Sequence, residues 1–538
     1  MKRILCITIA ALTAGVSALA QNINASVQVT NDYRASAAEA AKQDIPVSVP
    51  DSALKFDYDF DYSVFESPYM GAYEFTPYVV RVVPESQEYD GNRFFLKAGA
   101  GYSIYPVLQA VFATAPRKNY AMSIYQDLQG YYGDYWQVSK KDMKLIAGSL
   151  YKGYDLSEKF GVEGSLRTDA LNFKWGVDYR GLYNSDSQLP TEYHSGGVRL
   201  NFSSTGKGKS YFLYDVDLSA RYGLDRLEHY FEPVATSQHS YALDATFGPV
   251  IKGKYRILID VDGRHDSYTG ISAGRSTFLQ LFPHGDLTFN KFRLKAGVKM
   301  SVADGVRAFR IFPDAEIDYS LLDGGLDLFA GITGGQHMNS YSEFKEVYHR
   351  FNISYTENVN AVTEDKFDVY LGARGHIGSF FQYNVKAGYA LYENAPLASV
   401  LLEPAFTSAV AFKDFSLMYA DADLSWKSES LDITGGVNIR KTSLSDPVDC
   451  FDLPLFSGDI SVVYNYMKRI YAGVSCEAST SRGKIMGYAD LGVYAEYKFT
   501  KAFSFWAKGG NLLNMSVQRV PRYVEKGINF TAGITVNL

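Results

Sequence analysis

The last residues of the chain, 527–538, alternate between apolar and polar side chains up to the final position. Successive side chains of a β-strand point to opposite faces, so this pattern predicts a strand with one apolar and one polar face. The strand carries no charged residue. In a soluble sheet, such a strand would be an unprotected edge, open to pairing with other chains. We therefore predict that its apolar face contacts lipid in a closed barrel. That face consists of Ile528, Phe530, Ala532, Ile534, Val536 and Leu538.

The same two-residue period recurs from Arg93 onward, with turn or loop signals between the segments. Charged side chains keep to one face of each segment, and the other face often ends in Tyr or Phe. The segments run for about 9 to 13 residues, which suits a tilted membrane crossing better than the ~6-residue strands of a soluble sandwich. We predict an all-β fold for residues 93–538, namely a transmembrane antiparallel β-barrel of about 22 strands with a range of about 20–24.

The links between strands predict two different rims. Short links are expected to turn on the periplasmic side, and long ones to face outward and carry any selective binding surface together with the lumen. The last strand is expected to close the ring against residues 94–102. Its apolar face is the expected signal for the barrel-assembly machinery. The short links include Asn290-Lys291, Asp323-Gly324-Gly325 and Lys413-Asp414, and the long ones are Tyr183–Glu192, Gly223–Gln238, Gly334–Glu364 and Thr442–Leu455.

Residues 1–20 have the layout of a secretory signal peptide, with a basic start and a short apolar run. Ala18 and Ala20 form the cleavage motif, so we expect the mature chain to begin at Gln21. Residues 21–92 differ from the barrel region in being punctuated by prolines, which prevents long regular elements. We predict an extended segment there, lying on the periplasmic side or threaded into the barrel mouth.

Composition narrows the class further. A mean hydropathy of −0.15 and the absence of a long apolar window after Gln21 argue against a helical membrane protein. Mean hydropathy does not reveal a β-barrel, because only alternate residues of its strands face lipid. The 42 tyrosines suit the aromatic girdles of such a barrel, and the net charge of −6 argues against a nucleic-acid partner. We expect an outer-membrane location with lipid as the main partner.

Paired acids are the clearest candidates for chemistry in the lumen. They share one strand face, which predicts a solvated lumen wall, with a cation-attracting pore or a barrel protease as the alternatives. The pairs are Asp215 with Asp217, Asp260 with Asp262, and Asp421 with Asp423.

Other motifs offer little chemistry. The eight histidines are scattered without metal-ligand spacing, so we expect no metal or other cofactor. Ser272 lies in a G-x-S-x-G pattern just after His265 and Asp266, but a strand follows where a nucleophile elbow needs a helix. We read it as a loop and expect no enzymatic activity. The sequence does not decide whether Cys450 and Cys476 form a disulfide bridge.

Two groups of motifs resemble a known family. Near the end, Lys508–Asn514 contains an N-L-L-N turn, followed by Pro521, Tyr523 and Gly527 before the last strand. This resembles the closing segment of TonB-dependent-receptor barrels. The runs at 27–33, 50–58 and Pro77 resemble the N-terminus of a Bacteroidetes-type group of these receptors that lacks a full plug domain. Residues 21–92 are shorter than the family's plug, and no motif for contacting TonB is assigned.

The resemblance implies passage or uptake of a solute across the outer membrane. The alternative is a non-transporting structural or assembly component of an outer-membrane protein complex. Both readings allow a periplasmic or outer-membrane partner protein, which the sequence does not identify.

Overall fold

The computed structural model describes residues 93–538 except for 103–104, 115–119, 139–144, 167–170, 186–190, 205–208, 229–232, 271–272, 305–308, 323–324, 348–358, 360, 401–407, 445–452, 483–484 and 520–523. Several sequence-based predictions lie outside the described residues. They include the signal peptide with Ala18, Ala20 and Gln21, the segment 21–92, Ser272, Asp323 with Gly324, Cys450, and Pro521 with Tyr523.

In the described part of the chain, 22 strands form one antiparallel sheet that closes because the first strand pairs with the last. The predicted barrel and its strand number are confirmed. The strands are β1 Phe94–Gly101, β2 Val107–Ala113, β3 Tyr120–Val138, β4 Leu145–Leu166, β5 Leu171–Asn184, β6 Thr191–Ser204, β7 Tyr211–Glu228, β8 Pro233–Ile251, β9 Tyr255–Thr269, β10 Gly274–Phe289, β11 Phe292–Ala303, β12 Arg310–Ser320, β13 Asp327–Met338, β14 Val362–Ile377, β15 Phe381–Val400, β16 Ser408–Lys427, β17 Leu431–Leu444, β18 Phe456–Tyr466, β19 Ile470–Ser479, β20 Tyr488–Lys498, β21 Phe503–Gly510 and β22 Asn529–Asn537. A short helix, α1 (Tyr341–Val347), lies between β13 and β14.

Apolar and polar side chains separate onto the two faces of the closed sheet. On β22, Phe530 is 55% exposed on the outward face, whereas the neighbouring Thr531 is 6% exposed on the inward face. On β9, Ile257 and Ile259 are exposed on the outward face, whereas Asp260 on the inward face accepts a hydrogen bond from Thr246 of β8. This is the sorting that a lipid-facing barrel requires. No helix in the described ranges has the length and apolar character needed to cross a membrane.

The pairing of β1 with β22, here called the closing seam, is covered on its inward face by one large ring. Leu96 lies opposite Val536, and Gly99 lies opposite Gly533. The Trp506 indole lies across both glycines, since a Cβ at Gly533 would fall 2.6 Å from its Cζ2 atom. Glycine is therefore required at these positions to let an aromatic side chain from β21 cover the seam.

Strands β3 to β8 are longer than predicted, which corrects two of the long loops. β7 and β8 stay paired up to Glu228 opposite Pro233, so most of Gly223–Gln238 is strand. Tyr183 lies directly opposite Glu192, so that link is also short. Charged side chains in these segments break the apolar pattern without ending the ladder, because the hydrogen bonds between neighbouring strands join backbone groups and not side chains.

One predicted turn is wrong. Lys413-Asp414 lies inside β16, opposite a register shift between Tyr392 and Ala395 of β15. The Asp414 carboxylate accepts a hydrogen bond from the backbone N–H of Asn394 at 2.8 Å, which stabilises this bulge. Asn290 does occupy a tight turn between β10 and β11, with a φ of 44° in the left-handed region.

Polar substitutions on the outward face of β22 should cause an assembly defect. Replacing Phe530, Val536 and Leu538 together by Ser should abolish recovery in the outer-membrane fraction, because the terminal apolar pattern and its lipid contacts are lost. The assay is membrane fractionation with heat-modifiable migration on a gel. The matched control replaces Asn529, Thr535 and Asn537, on the inward face of the same strand, by Ser. Normal recovery of the Phe530, Val536 and Leu538 variant would contradict the assigned role.

Candidate functional site

The six predicted acids all lie on the inward face of the barrel. Most of them have partners on the wall, so they do not form an open row of unpaired carboxylates. Asp423 lies opposite Asn384 in the β15–β16 register. The partners and distances of the other five are Asn201 Nδ2 for Asp215 at 2.7 Å, Arg199 for Asp217 at 3.2 Å, Thr246 for Asp260 at 2.8 Å, Arg264 for Asp262 at 2.8 Å and Arg440 for Asp421 at 3.8 Å.

His265 and Asp266 do not converge as a catalytic pair. They are neighbours on β9 and therefore point to opposite faces, with His265 bonded to Thr277 at 2.9 Å on the outside and Asp266 buried on the inside. Among the described residues, no group of three or more His, Cys, Asp or Glu is arranged to hold a metal ion. Cys476 lies on β19.

The main feature of the lumen is a hairpin that leaves the wall. β13 pairs with β12 only up to Ile332 opposite Ala315, but it stays paired with β14 up to Met338 opposite Val362. A register shift between Thr333 and Gly335 marks the point of departure. The upper part of β13 therefore separates from its neighbour while β14 remains attached to β15. We call the described residues 334–347, 359 and 361–365 the inner hairpin.

The inner hairpin packs on the inward faces of β10 to β12. Ser301 of β11 donates a hydrogen bond to Gln336 at 2.7 Å, and Arg310 of β12 forms an ion pair with Glu364 at 3.1 Å. Gln336 in turn donates to Glu364 at 3.1 Å. An apolar cluster lies alongside this polar network and consists of Phe278, Ala303, Met338 and Val362.

Helix α1 begins with a capping box. The Ser340 hydroxyl accepts the N–H of Glu343 at 3.3 Å, and the Glu343 carboxylate accepts the N–H of Ser340 at 3.0 Å. Both bonds satisfy groups that a helix start leaves unpaired. Because Tyr341 and Phe344 are three residues apart, they share one face of this short helix.

That apolar face buries against the barrel wall. Tyr341 stacks on Tyr268 of β9 with ring centres 6.4 Å apart, and Phe344 meets Phe412 of β16 edge-on at 6.0 Å. Burial of two aromatic side chains of this size stabilises the folded-in position by about 1.5–3 kcal/mol each. The buried cluster also includes Leu182, Tyr193, Val359 and Val410.

A buried ion pair fixes the helix to β7. The Lys345 ammonium lies 2.7 Å from Asp225 Oδ2, and their side chains are 0% and 1% exposed. The Tyr341 hydroxyl donates to the same oxygen at 2.5 Å. Burial raises the pKa of Tyr341 well above its usual range, so the hydroxyl stays protonated and remains a donor. The Tyr193 ring lies 5.9 Å from the ammonium.

Two exposed ion pairs accompany this buried one. Arg221 of β7 binds Glu346 at 3.2 Å, and His337 lies 3.5 Å from Glu343. The Ser342 hydroxyl lies 3.4 Å from Gln238 Nε2 on β8. Contacts from β5 to β9 and from β16 thus hold α1 inside the barrel.

The sequence-based prediction for this segment does not include its path into the lumen. Gly334–Glu364 does connect two strands as a long link, but its described residues turn into the lumen instead of away from the barrel. The capping box at Ser340 could have signalled the helix. Its destination depends on Asp225, which lies far away in sequence and carries no local signal.

Comparisons with known proteins add the fold family. No family model matches the sequence, and no curated protein matches it. Solved structures do match. The iron transporter FrpB from Neisseria meningitidis (F5-1 variant) has a TM-score of 0.62 at 9% identity and covers 83% of this chain and 82% of its own. The ferric-catecholate import receptor Fiu from E. coli K12 has a TM-score of 0.60 at 7% identity, with 83% and 82% covered.

The chain has the barrel fold of TonB-dependent outer-membrane receptors. The copper transporter OprC shares this receptor-type barrel with a TM-score of 0.59 at 12% identity, covering 83% of this chain and 80% of its own. These identities concern the fold alone. A barrel of 22 strands encloses a lumen wide enough to hold the inner hairpin.

The inner hairpin bends away from the wall at Gly334, and a larger side chain at this position should displace the hairpin. A Cβ at Gly334 would fall 3.0 Å from the backbone oxygens of Asp365 and Lys366, whereas at Gly335 its nearest neighbour would be 3.6 Å away. Gly334→Val should therefore force the strands apart at a cost of about 1–3 kcal/mol. We expect external trypsin to cut after Lys345 in this variant, as mapped by mass spectrometry.

Gly335→Ala is the matched control, because the added methyl group meets only ordinary contacts. It should remain uncut after Lys345, as should the unmodified chain. Equal protection of Lys345 in the Gly334→Val variant would show that the bend does not depend on this glycine.

Proposed function

We propose that this chain passes a water-soluble solute across the outer membrane through its lumen, entering beside the inner hairpin. The contrast between the two faces of the barrel carries this proposal. The outward face is apolar, as at Ile257 and Leu371, which are 56% and 66% exposed. The inward face carries acids, bases and tyrosines that a solvated path requires.

One stretch of the wall below the inner hairpin illustrates this polar character. The Tyr419 hydroxyl donates to the buried Asp368 at 2.9 Å, and the Lys386 ammonium lies 3.8 Å above the Tyr370 ring. Tyr370 in turn donates to Glu316 at 2.6 Å. Neighbouring donors and acceptors of this kind can replace hydration around a polar solute as it moves.

The fold supports the same proposal. The similar barrels of FrpB, Fiu and OprC belong to proteins named as an iron transporter, a ferric-catecholate import receptor and a copper transporter. We extend only the general role of inward passage to this chain. An energising partner such as TonB belongs to the proposal as well, with residues 21–92 as the region to test for contact.

Passage predicts a difference in solute depletion between isogenic cells. Cells that produce the chain should remove at least one polar solute from a defined medium faster than cells that lack it, as followed by mass spectrometry of the medium. The control is the non-inserting variant with Phe530, Val536 and Leu538 replaced by Ser, which should behave like the null strain.

An assembly role gives the opposite pattern. It predicts unchanged depletion of every solute and a stable partner protein that co-purifies in mild detergent. That combination would overturn the passage proposal.

A further inference from the structure

We infer that the outward face of β3 to β5 is a contact surface for a second copy of this chain within the membrane. The inference goes beyond solute passage and does not depend on it. It rests on a polar pair at a depth where other parts of the wall are apolar, on the shape of the surrounding surface, and on the ability of the pair to bond with its own copy.

Gln126 of β3 and Glu158 of β4 form this polar pair. The Gln126 amide donates a hydrogen bond to Glu158 Oε1 at 3.1 Å. Glu158 lies opposite Leu128 of β3 and opposite Tyr179 of β5, which is 37% exposed on the outward face. Because side chains alternate along a strand, Gln126 shares that outward face with Leu128.

The polar pair lies in the apolar band of the wall. Consecutive strands are antiparallel, so all odd-numbered strands begin at the same rim, and position along the strand measures depth. Gln126 is six residues after the first residue of β3. The corresponding residues of β11 and β17 are Val298 and Val437, which are 42% and 39% exposed on the outward face. An amide and a carboxylate therefore replace apolar side chains at this depth.

Lipid tails do not satisfy the hydrogen-bonding groups of this pair. Hydrocarbon offers neither donors nor acceptors, so an outward carboxylate at this depth is costly unless a protein group meets it. In the described part of the chain, the bond between Gln126 and Glu158 is the one side-chain hydrogen bond that either residue makes. The second amide hydrogen of Gln126 and the Oε2 atom of Glu158 thus remain for a partner.

A second copy supplies both missing groups. Copies of one barrel insert in the same orientation, so a two-fold axis along the membrane normal brings residues of equal depth together. The remaining amide hydrogen of Gln126 in one copy then donates to Glu158 Oε2 in the other, and the reciprocal bond forms at the same time. The polar pair is therefore complementary to itself.

The surface around the polar pair allows close approach, because outward side chains fold down over glycines of neighbouring strands. A Cβ at Gly164 of β4 would overlap the Phe173 ring of β5. One at Gly130 of β3 would fall 2.8 Å from Leu156 Cδ1 of β4. With glycine at both positions, these side chains lie along the sheet and do not project from it.

The available area is sufficient for a specific contact. The five strands β2 to β6, at about 4.8 Å per strand, cross an apolar band about 25 Å tall and present about 600 Å² per copy. Two copies would bury about 1,200 Å² in total, which is the lower end of the range for stable protein interfaces.

Cysteine cross-linking in native outer membranes tests the proposed dimer. The test position is Leu128→Cys, directly opposite Glu158, in a background with Cys450→Ser and Cys476→Ser. Oxidation with copper phenanthroline should give a reductant-sensitive band at twice the monomer mass. The matched control is Ile439→Cys, which is also eight residues after the start of its strand and is 47% exposed. We expect at least tenfold less dimer from the control.

Removing the polar pair should prevent the cross-link without harming the barrel. Gln126→Leu combined with Glu158→Leu makes the outward face more apolar and hence compatible with lipid. In the Leu128→Cys background, this double change should lower the dimer fraction at least fivefold and leave heat-modifiable migration unchanged. Glu158→Gln keeps an acceptor oxygen and should retain the cross-link. If the double variant fails to assemble, Glu158→Leu alone provides the same comparison.

Three results would overturn the inference. They are equal cross-linking at Leu128→Cys and Ile439→Cys, an unchanged dimer band after loss of the polar pair, and a cross-link from Leu128→Cys to a protein of different mass. The last result would assign the surface to another partner. Oxidation reports contact between copies and does not measure solute depletion, so failure of the passage proposal is seen separately.

Discussion

The pairing of the first strand with the last is the constraint on which the rest of this barrel depends. A backbone in hydrocarbon finds no water, so an open edge would leave a row of unpaired N–H and C=O groups. β1 and β22 remove that edge, and the N–H of Leu538 bonds the carbonyl of Phe94 at 2.8 Å. The Trp506 ring covers the same closing seam from inside. Once closed, the ring fixes the width of the lumen and the wall on which the inner hairpin packs.

Inside that ring, apolar and charged contacts have different roles. Aromatic packing of Tyr341 and Phe344 supplies most of the favourable burial of α1. The Lys345–Asp225 pair adds little net stability, since both ions lose their hydration. Its effect is to favour this position, because here the Lys345 ammonium lies 2.7 Å from the Asp225 carboxylate. Apolar contacts therefore supply the stability of the inner hairpin in the lumen, and the ion pair sets its position.

Local patterns in the sequence predict the wall of this molecule well. A strand in lipid exposes every second side chain to hydrocarbon, so alternation alone locates the strands, their faces and the pairing of the last strand with the first. Strand ends are less predictable, because β7, β8 and β16 continue past the segments in which apolar and polar residues alternate. Lys413-Asp414 has the composition of a turn, yet it lies in a strand because a bulge at Tyr392 accommodates it.

The interior of the lumen could not be predicted in the same way. Asp225 and Lys345 are 120 positions apart in the sequence. Nothing in either segment indicates that they meet, since a buried ion pair depends on three-dimensional closure of the ring. The six acids of the wall were recognisable because they share strand faces with one another. Their partners, such as Arg264 and Arg440, lie on the same or neighbouring strands and required the register to be known.

Disulfide trapping across the closing seam in native outer membranes tests the closed barrel most directly. Ala100 lies directly opposite Ala532. With the native cysteines replaced by Ser, the pair Ala100→Cys and Ala532→Cys should form an intramolecular bridge on oxidation, seen as a reductant-sensitive shift in gel migration. The pair Ala98→Cys and Ala532→Cys is out of register and should not bridge. Free thiols in the first pair, or bridges only between separate chains, would contradict a barrel closed by β1 and β22.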